Sequence, residues 1–215
     1  MNMRNSTRPA CLAALVAILL SLVVVFAACG SGGEGGAKTG DVKTYTDKTY
    51  GYSFQYPSGW QLQQQADEAD VTSGAAAAQA VAAFDPEGAK TDTSYTDLLE
   101  VSVYELTGTV DDSVMPALEE EVRSVFAGLE SQAADLKVVE QMTAVTVSGL
   151  KGWKITYSFD KDGTPAQSTL FLVFGGSLEY QLLVQAATSS WEADQAVFET
   201  FVSSFTPGTA TSTSN

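Results

Sequence analysis

Five consecutive apolar residues, Leu170-Phe171-Leu172-Val173-Phe174, constrain this chain more than any other feature. A strand turns alternate residues to opposite faces, so a run that is apolar at every position must be covered on both sides. The flanking Gln167 and Gly175-Gly176 bound a segment of strand length. The fold must therefore be layered, with a central strand covered above and below.

The neighbouring segments supply the rest of a meander. Val138–Val147 predicts a strand, turned by Ser148-Gly149-Leu150-Lys151. Gly152–Phe159 alternates, with Trp153, Ile155, Tyr157 and Phe159 on one face. Asp160-Lys161-Asp162-Gly163 turns again, since Asp-Gly is a strong short hairpin signal. Gln167–Phe174 follows, then a break at Gly175-Gly176-Ser177, then Leu178–Ala186. Nearer the N-terminus, Val42–Thr46 and Tyr50–Tyr56 predict strands, Pro57-Ser58-Gly59 a turn, and Trp60 a new extended piece. Residues 66–78 read as a variable loop. Gln79–Phe84 is a further strand, ended by Asp85-Pro86-Glu87-Gly88. Leu98–Leu106 alternates Leu99, Val101 and Val103 against Glu100, Ser102 and Tyr104, as a half-buried strand does.

Two helices are expected. In 113–131, Met115, Leu118, Val122, Val125, Phe126 and Leu129 recur with helical period, behind Asp111 and Asp112 at the positive end of the helix dipole. The last element carries Trp191, Val197, Phe198, Phe201, Val202 and Phe205, with Ser189 and Glu192 spaced as a capping box. The expected class is α+β, an antiparallel β-sheet flanked by helices. Which face each helix covers is left open by the pattern.

The N-terminus reads as an export signal. Arg4 and Arg8 precede an apolar run from Leu12 to Phe26 that ends in Ala27-Ala28-Cys29. This ending resembles the bacterial lipobox, in which the cysteine is acylated and becomes the first mature residue. Residues 1–28 are then a signal peptide, and 29–40, rich in glycine, a flexible tether. Residues 41–207 form one domain, and 208–215 a disordered polar tail. The competing reading is an uncleaved anchor from Ala10 to Cys29, about long enough to span a bilayer. Either way the domain lies on the extracytoplasmic face, because positive charge stays inside.

Composition excludes several functions. Acidic residues number 26 against 11 basic ones, a net charge of −15, and losing Arg4 and Arg8 with the leader makes it −17. Such a surface repels nucleic acid, which is not an expected partner. The chain has no histidine, so the usual general base and the commonest metal ligand are both missing. Cys11 leaves with the leader and Cys29 remains alone, so the mature chain forms no internal disulfide.

The segment Gly51-Tyr52-Ser53-Phe54-Gln55-Tyr56-Pro57-Ser58-Gly59-Trp60 resembles the opening of the PsbP-like (Mog1/PsbP) family, Gly-aromatic-x-Phe-x-aromatic-Pro-x-x-Trp. The closing Glu179–Gln185, Trp191 and Val202-Ser203-Ser204-Phe205 resemble it too, so the likeness spans 42–206. It implies a Mog1/PsbP-like α/β/α sandwich and a mostly non-enzymatic role. It carries over no metal-binding or other site residue.

Other motifs fare poorly as sites. Asp160-Lys161-Asp162-Gly163 lacks the later ligands of a calcium loop. Glu119-Glu120-Glu121 fan outward on a helix, and Asp67, Glu68 and Asp70 define no cage. No catalytic, cofactor-binding or metal site is therefore expected, and no cofactor. If a ligand groove exists, Tyr52, Trp60, Trp153 and Trp191 are the residues expected at it. The reading is a monomeric lipoprotein, membrane-bound through Cys29, whose non-catalytic domain binds a protein, a lipid-like molecule or an envelope component. The alternative is a carboxylate-dependent cell-envelope hydrolase, which would need two carboxyls facing each other across a cleft.

Overall fold

The computed structural model describes residues 40–65, 78–91, 94–132 and 135–208. Cys29, most of the tether, residues 66–77 of the expected 66–78 loop and the tail beyond Gly208 lie outside the described residues. The elements run β1 (Val42–Thr46), β2 (Ser53–Pro57), β3 (Gln61–Gln65), β4 (Gln79–Phe84), β5 (Leu98–Val110), α1 (Met115–Gln132), β6 (Lys137–Val147), β7 (Leu150–Lys161), β8 (Thr164–Ala187) and α2 (Trp191–Ser204). β1 and β2 form an antiparallel pair, and the main sheet has the order β3-β4-β5-β8-β7-β6 with every pairing antiparallel.

β8 is extended over 24 residues, which would span roughly 80 Å if straight. It is folded back on itself instead. Thr188 N donates to Pro165 O at 2.8 Å, and Ser168 Oγ to Gln185 Oε1 at 3.2 Å. Both contacts centre the reversal on Gly176 and Ser177, and Gly176 has φ +62 as the first residue of such a turn requires. The expected break at Gly175-Gly176-Ser177 is thus the tip of a hairpin. Its first arm pairs with β7, from Lys151 opposite Phe174 to Lys161 opposite Thr164. The second pairs with β5, from Leu98 opposite Gln185 to Glu105 opposite Leu178. Two further reversals are equally tight. Ser148 and Gly149 (φ +50 and +84) turn β6 into β7, and Asp162 and Gly163 (φ +51 and +88) turn β7 into β8.

The helices lie on opposite faces. Leu118, Val122 and Phe126 of α1 pack with Trp153, Ile155, Tyr157, Leu170, Leu172 and Phe174. Val197, Phe198 and Phe201 of α2, with the β1–β2 pair, pack on Val101, Val103, Val173, Tyr180, Leu182 and Val184. Leu170 and Val173 fall in different clusters, so the apolar run is covered on both sides as its sequence demands. The architecture is an α+β sandwich, an antiparallel sheet flanked by two helices.

Two local expectations are overturned. Leu98–Leu106 is not half-buried: Ser102 and Tyr104 are buried as Leu99 and Val101 are, because the face given over to water in the alternating pattern is an inner face of the sandwich, where Leu98 joins the α1-side core. The capping box also fails. Ser190, not Ser189, precedes α2, and its side chain caps no helix amide; its single hydroxyl proton is shared between Asp97 Oδ1 and Ala187 O, each 3.2 Å from Oγ. The carboxylates in the first turn, Glu192 and Asp194, meet the helix dipole instead.

Candidate binding groove

α2 is narrower than the sheet beneath it. It packs on β2 and β8 and shares a core with Val101 and Val103 of β5, while the same face of β6, β7 and the first arm of β8 lines an opening beside it. The result is a groove of about 580 Å³. Its helix wall consists of Trp191, Gln195, Phe198, Glu199 and Val202, spaced to share one side of α2. Trp191 is half-buried, and its ring lies 5.1 Å from that of Phe198.

The floor is polar. On β7 the residues opposite the Trp153–Tyr157 face are Lys154 and Thr156, and on β8 they are Gln167, Thr169 and Phe171. Thr156 Oγ1 donates to Glu140 Oε2 on β6 at 3.2 Å and shares a hydrogen bond with Thr169 Oγ1 at 2.8 Å. The carboxylate can only accept, so Thr156 spends its proton on Glu140, and Thr169 must donate to Thr156. Lys154 Nζ lies 3.9 Å from the same Glu140 oxygen.

The four aromatic residues expected at a groove are divided by the fold. Trp191 lines it. Tyr52 and Trp60 are sealed in the core under α2, and Trp153 is in the core on the other face. The opening motif explains the first two. Tyr52, just before β2, and Phe54 and Tyr56 along it alternate and are all buried, so the motif is a packing signal rather than a contact surface. Glu140, Lys154, Thr156, Gln167 and Thr169 were legible only as the polar half of alternating strands, which reads as a solvated face.

Elsewhere, burial acts on single acids. Glu179 is 2% exposed, with Gln181 Nε2 at 2.8 Å, and loss of water pushes its pKa up to about 7. Glu100 is also raised by burial, and its Oε2 has no hydrogen-bond partner. Among the described residues no group of three or more His, Cys, Asp or Glu is placed to hold a metal, and no helix is long and apolar enough to cross a membrane.

This combination of a covered antiparallel sheet and two opposed helices defines the Mog1/PsbP-like class of α+β sandwich. The PsbP family model matches residues 40–207, and the chain belongs to that family. Its structure is similar to that of cyanobacterial PsbP (CyanoP) from Synechocystis sp. PCC 6803, at 16% identity over 80% of this chain and 96% of that one, with a TM-score of 0.52. It is also similar to LpqN, described as involved in cell envelope biogenesis of Mycobacterium tuberculosis, at 14% identity over 79% and 93% of the two chains, with a TM-score of 0.51. No curated protein matches the sequence.

Proposed function

We propose that this PsbP-family domain is a non-catalytic binding module, displayed on the outer face of a membrane by a lipid on Cys29, with its ligand site in the groove beside α2. The observation that carries the reading is the groove itself: a wall bearing the half-buried Trp191 facing convergent polar side chains, as in a small-ligand site. The leader and the glycine-rich tether support the anchoring, since a flexible linker lets the domain reach partners while held at the surface. Binding is favoured over hydrolysis because one of the two groove carboxylates, Glu140, is already engaged by Thr156 and Lys154 rather than left open to pair with Glu199, and the chain has no histidine to serve as a base.

The test is site-specific photocrosslinking in the producing cells. With p-benzoylphenylalanine at Gln195, on the groove rim, a discrete envelope adduct is expected. The same group at Glu120, on the solvated side of α1, is expected to give none. Equal labelling at both positions, or none at Gln195, would count against the groove. Mass spectrometry of the mature N-terminus is expected to find an acylated Cys29, and Cys29→Ser to release the protein from membranes. An intact Met1 in the membrane fraction would contradict the anchoring.

A further inference from the structure

Resting on the groove as the binding site, we infer that its ligand is a neutral glycan segment, about two sugar rings long, seated with one ring against Trp191. Three features of the groove lead there.

The first is the pairing of one accessible indole with a polar floor. A sugar ring has faces lined by C–H bonds and an edge lined by hydroxyls. The electron-rich face of an indole attracts the polarised C–H groups, while hydroxyls need donors and acceptors around the rim. Trp191 is half-buried with its wall open to the groove, whereas the other two tryptophans are 4–5% exposed in the core. Across from it stand Gln167, Thr169 and Lys154, with Gln195 on the helix side.

The second is the direction of the threonine relay. Thr169 donates to Thr156, which donates to Glu140. Thr169 Oγ1 therefore keeps a lone pair to accept from a ligand hydroxyl, and Gln167 can donate and accept beside it. A hydroxyl, which does both, is the complementary ligand group.

The third is charge. Lys154 stands against Glu140 and Glu199, so the groove holds one cation and two anions, with the cation already beside Glu140. Neither a strongly anionic nor a strongly cationic ligand finds a concentrated counter-charge. An acyl chain fares worse, because it would strip water from Lys154, Thr156 and Glu140 and return no hydrogen bonds. The volume of about 580 Å³ falls within the range of small-ligand sites and suits roughly two rings.

The chain has three tryptophans, which makes the test direct. The full-length protein, labelled with 5-fluorotryptophan and held in phosphatidylcholine nanodiscs, gives three fluorine resonances, assigned by Trp→Phe variants. Titration with maltose, cellobiose and N,N'-diacetylchitobiose is expected to move the Trp191 signal with at least one sugar, at millimolar affinity, and to leave Trp60 and Trp153 in place. Gln167→Leu, which keeps the volume and leaves the core intact, is expected to weaken that sugar at least fivefold. Trp191→Ala is expected to remove binding seen by calorimetry, with the unmoved Trp60 and Trp153 signals showing that the fold is kept. If no sugar moves Trp191 while Gln195 still forms its adduct in cells, the glycan is wrong and the groove stands. A polypeptide mass on that adduct has the same consequence. If Gln195 forms no adduct and the fluorine signals are also silent, both readings fall.

Discussion

Phe201 has no exposed surface and meets Phe54 edge-on, ring centroids 5.2 Å apart, at the point where α2 docks on β2 and the sheet. Emptying such a site removes burial and leaves a cavity, so Phe201→Ala is expected to cost about 3–5 kcal/mol in a urea melt. Glu120→Ala, on the exposed side of α1, should fall within about 0.5 kcal/mol of wild type. Equal, small effects would mean that the aromatic side of α2 is not docked. Glu179 gives a residue-scale effect of a different kind. Its folded pKa of about 7 lies above its ordinary value, so the folded state holds the proton more tightly than the unfolded chain. Its contribution to stability is fully present below the unfolded pKa and is lost as pH rises through about 7. The shift corresponds to roughly 3 kcal/mol of stability lost across that window. Glu179→Gln, which keeps the hydrogen bond with Gln181 possible but cannot ionise, is expected to flatten the fall and to be the more stable protein at pH 8. Melts of both proteins at pH 5 and pH 8 check it, and parallel pH slopes would contradict it.

The reversals between elements are held by backbone conformation rather than by contacts. Gly163 stands at φ +88 between β7 and β8, where a Cβ meets no neighbour but the conformation itself strains an L-residue. Gly163→Ala is therefore expected to cost about 1–2 kcal/mol without changing the fold, measured by chemical unfolding. Gly152 differs: a Cβ there would collide with the Leu172 carbonyl oxygen, where β7 and β8 run side by side. Elements with a local signature were legible in the sequence for the same reason that they are stable. Asp162-Gly163 and Ser148-Gly149 name their turns, the alternation of Trp153, Ile155 and Tyr157 names a buried face, and 170–174 announces a strand covered twice. What was not legible depends on which distant elements come together. Leu98–Leu106 looked half-buried because nothing local in it says that its polar side is covered in the folded sandwich. The groove was invisible for a related reason: Thr156 and Thr169 look solvated in the alternating pattern, whereas the sheet pairs them by a buried hydrogen bond at the groove floor beside α2. The residues sought at a groove were large aromatics, and three of the four turned out to be core, since burial is what large aromatics most often serve.

At the scale of the whole molecule, the chain's charge, its core and its groove have separate jobs. The chain's acidic balance, 26 acidic against 11 basic residues, disfavours association with polyanions such as nucleic acid or anionic headgroups. The core is two apolar layers joined through one sheet, with no cysteine after Cys29 and no cluster of metal ligands among the described residues. The chain closes on itself. Ser53 and Thr206 exchange backbone hydrogen bonds at 2.9 and 2.8 Å, Gln55 N donates to Ser204 Oγ at 2.9 Å, and a Cβ on Gly208 would collide with the Tyr50 carbonyl oxygen. The first strand pair is thereby pinned to the last helix, so both ends of the domain are needed for one cooperative unit. A fragment of residues 41–207 is expected to fold as a monomer with a single unfolding transition, unchanged by dithiothreitol or EDTA. One ending at residue 200 would lose the Ser204 and Thr206 hydrogen bonds together with Phe201 and Phe205, and is expected to lose cooperative unfolding altogether. Calorimetry of the two fragments decides the point. A melting temperature lowered by chelation would reveal a structural ion, and a cooperative transition in the shorter fragment would show that α2 is an appendage rather than a layer of the sandwich.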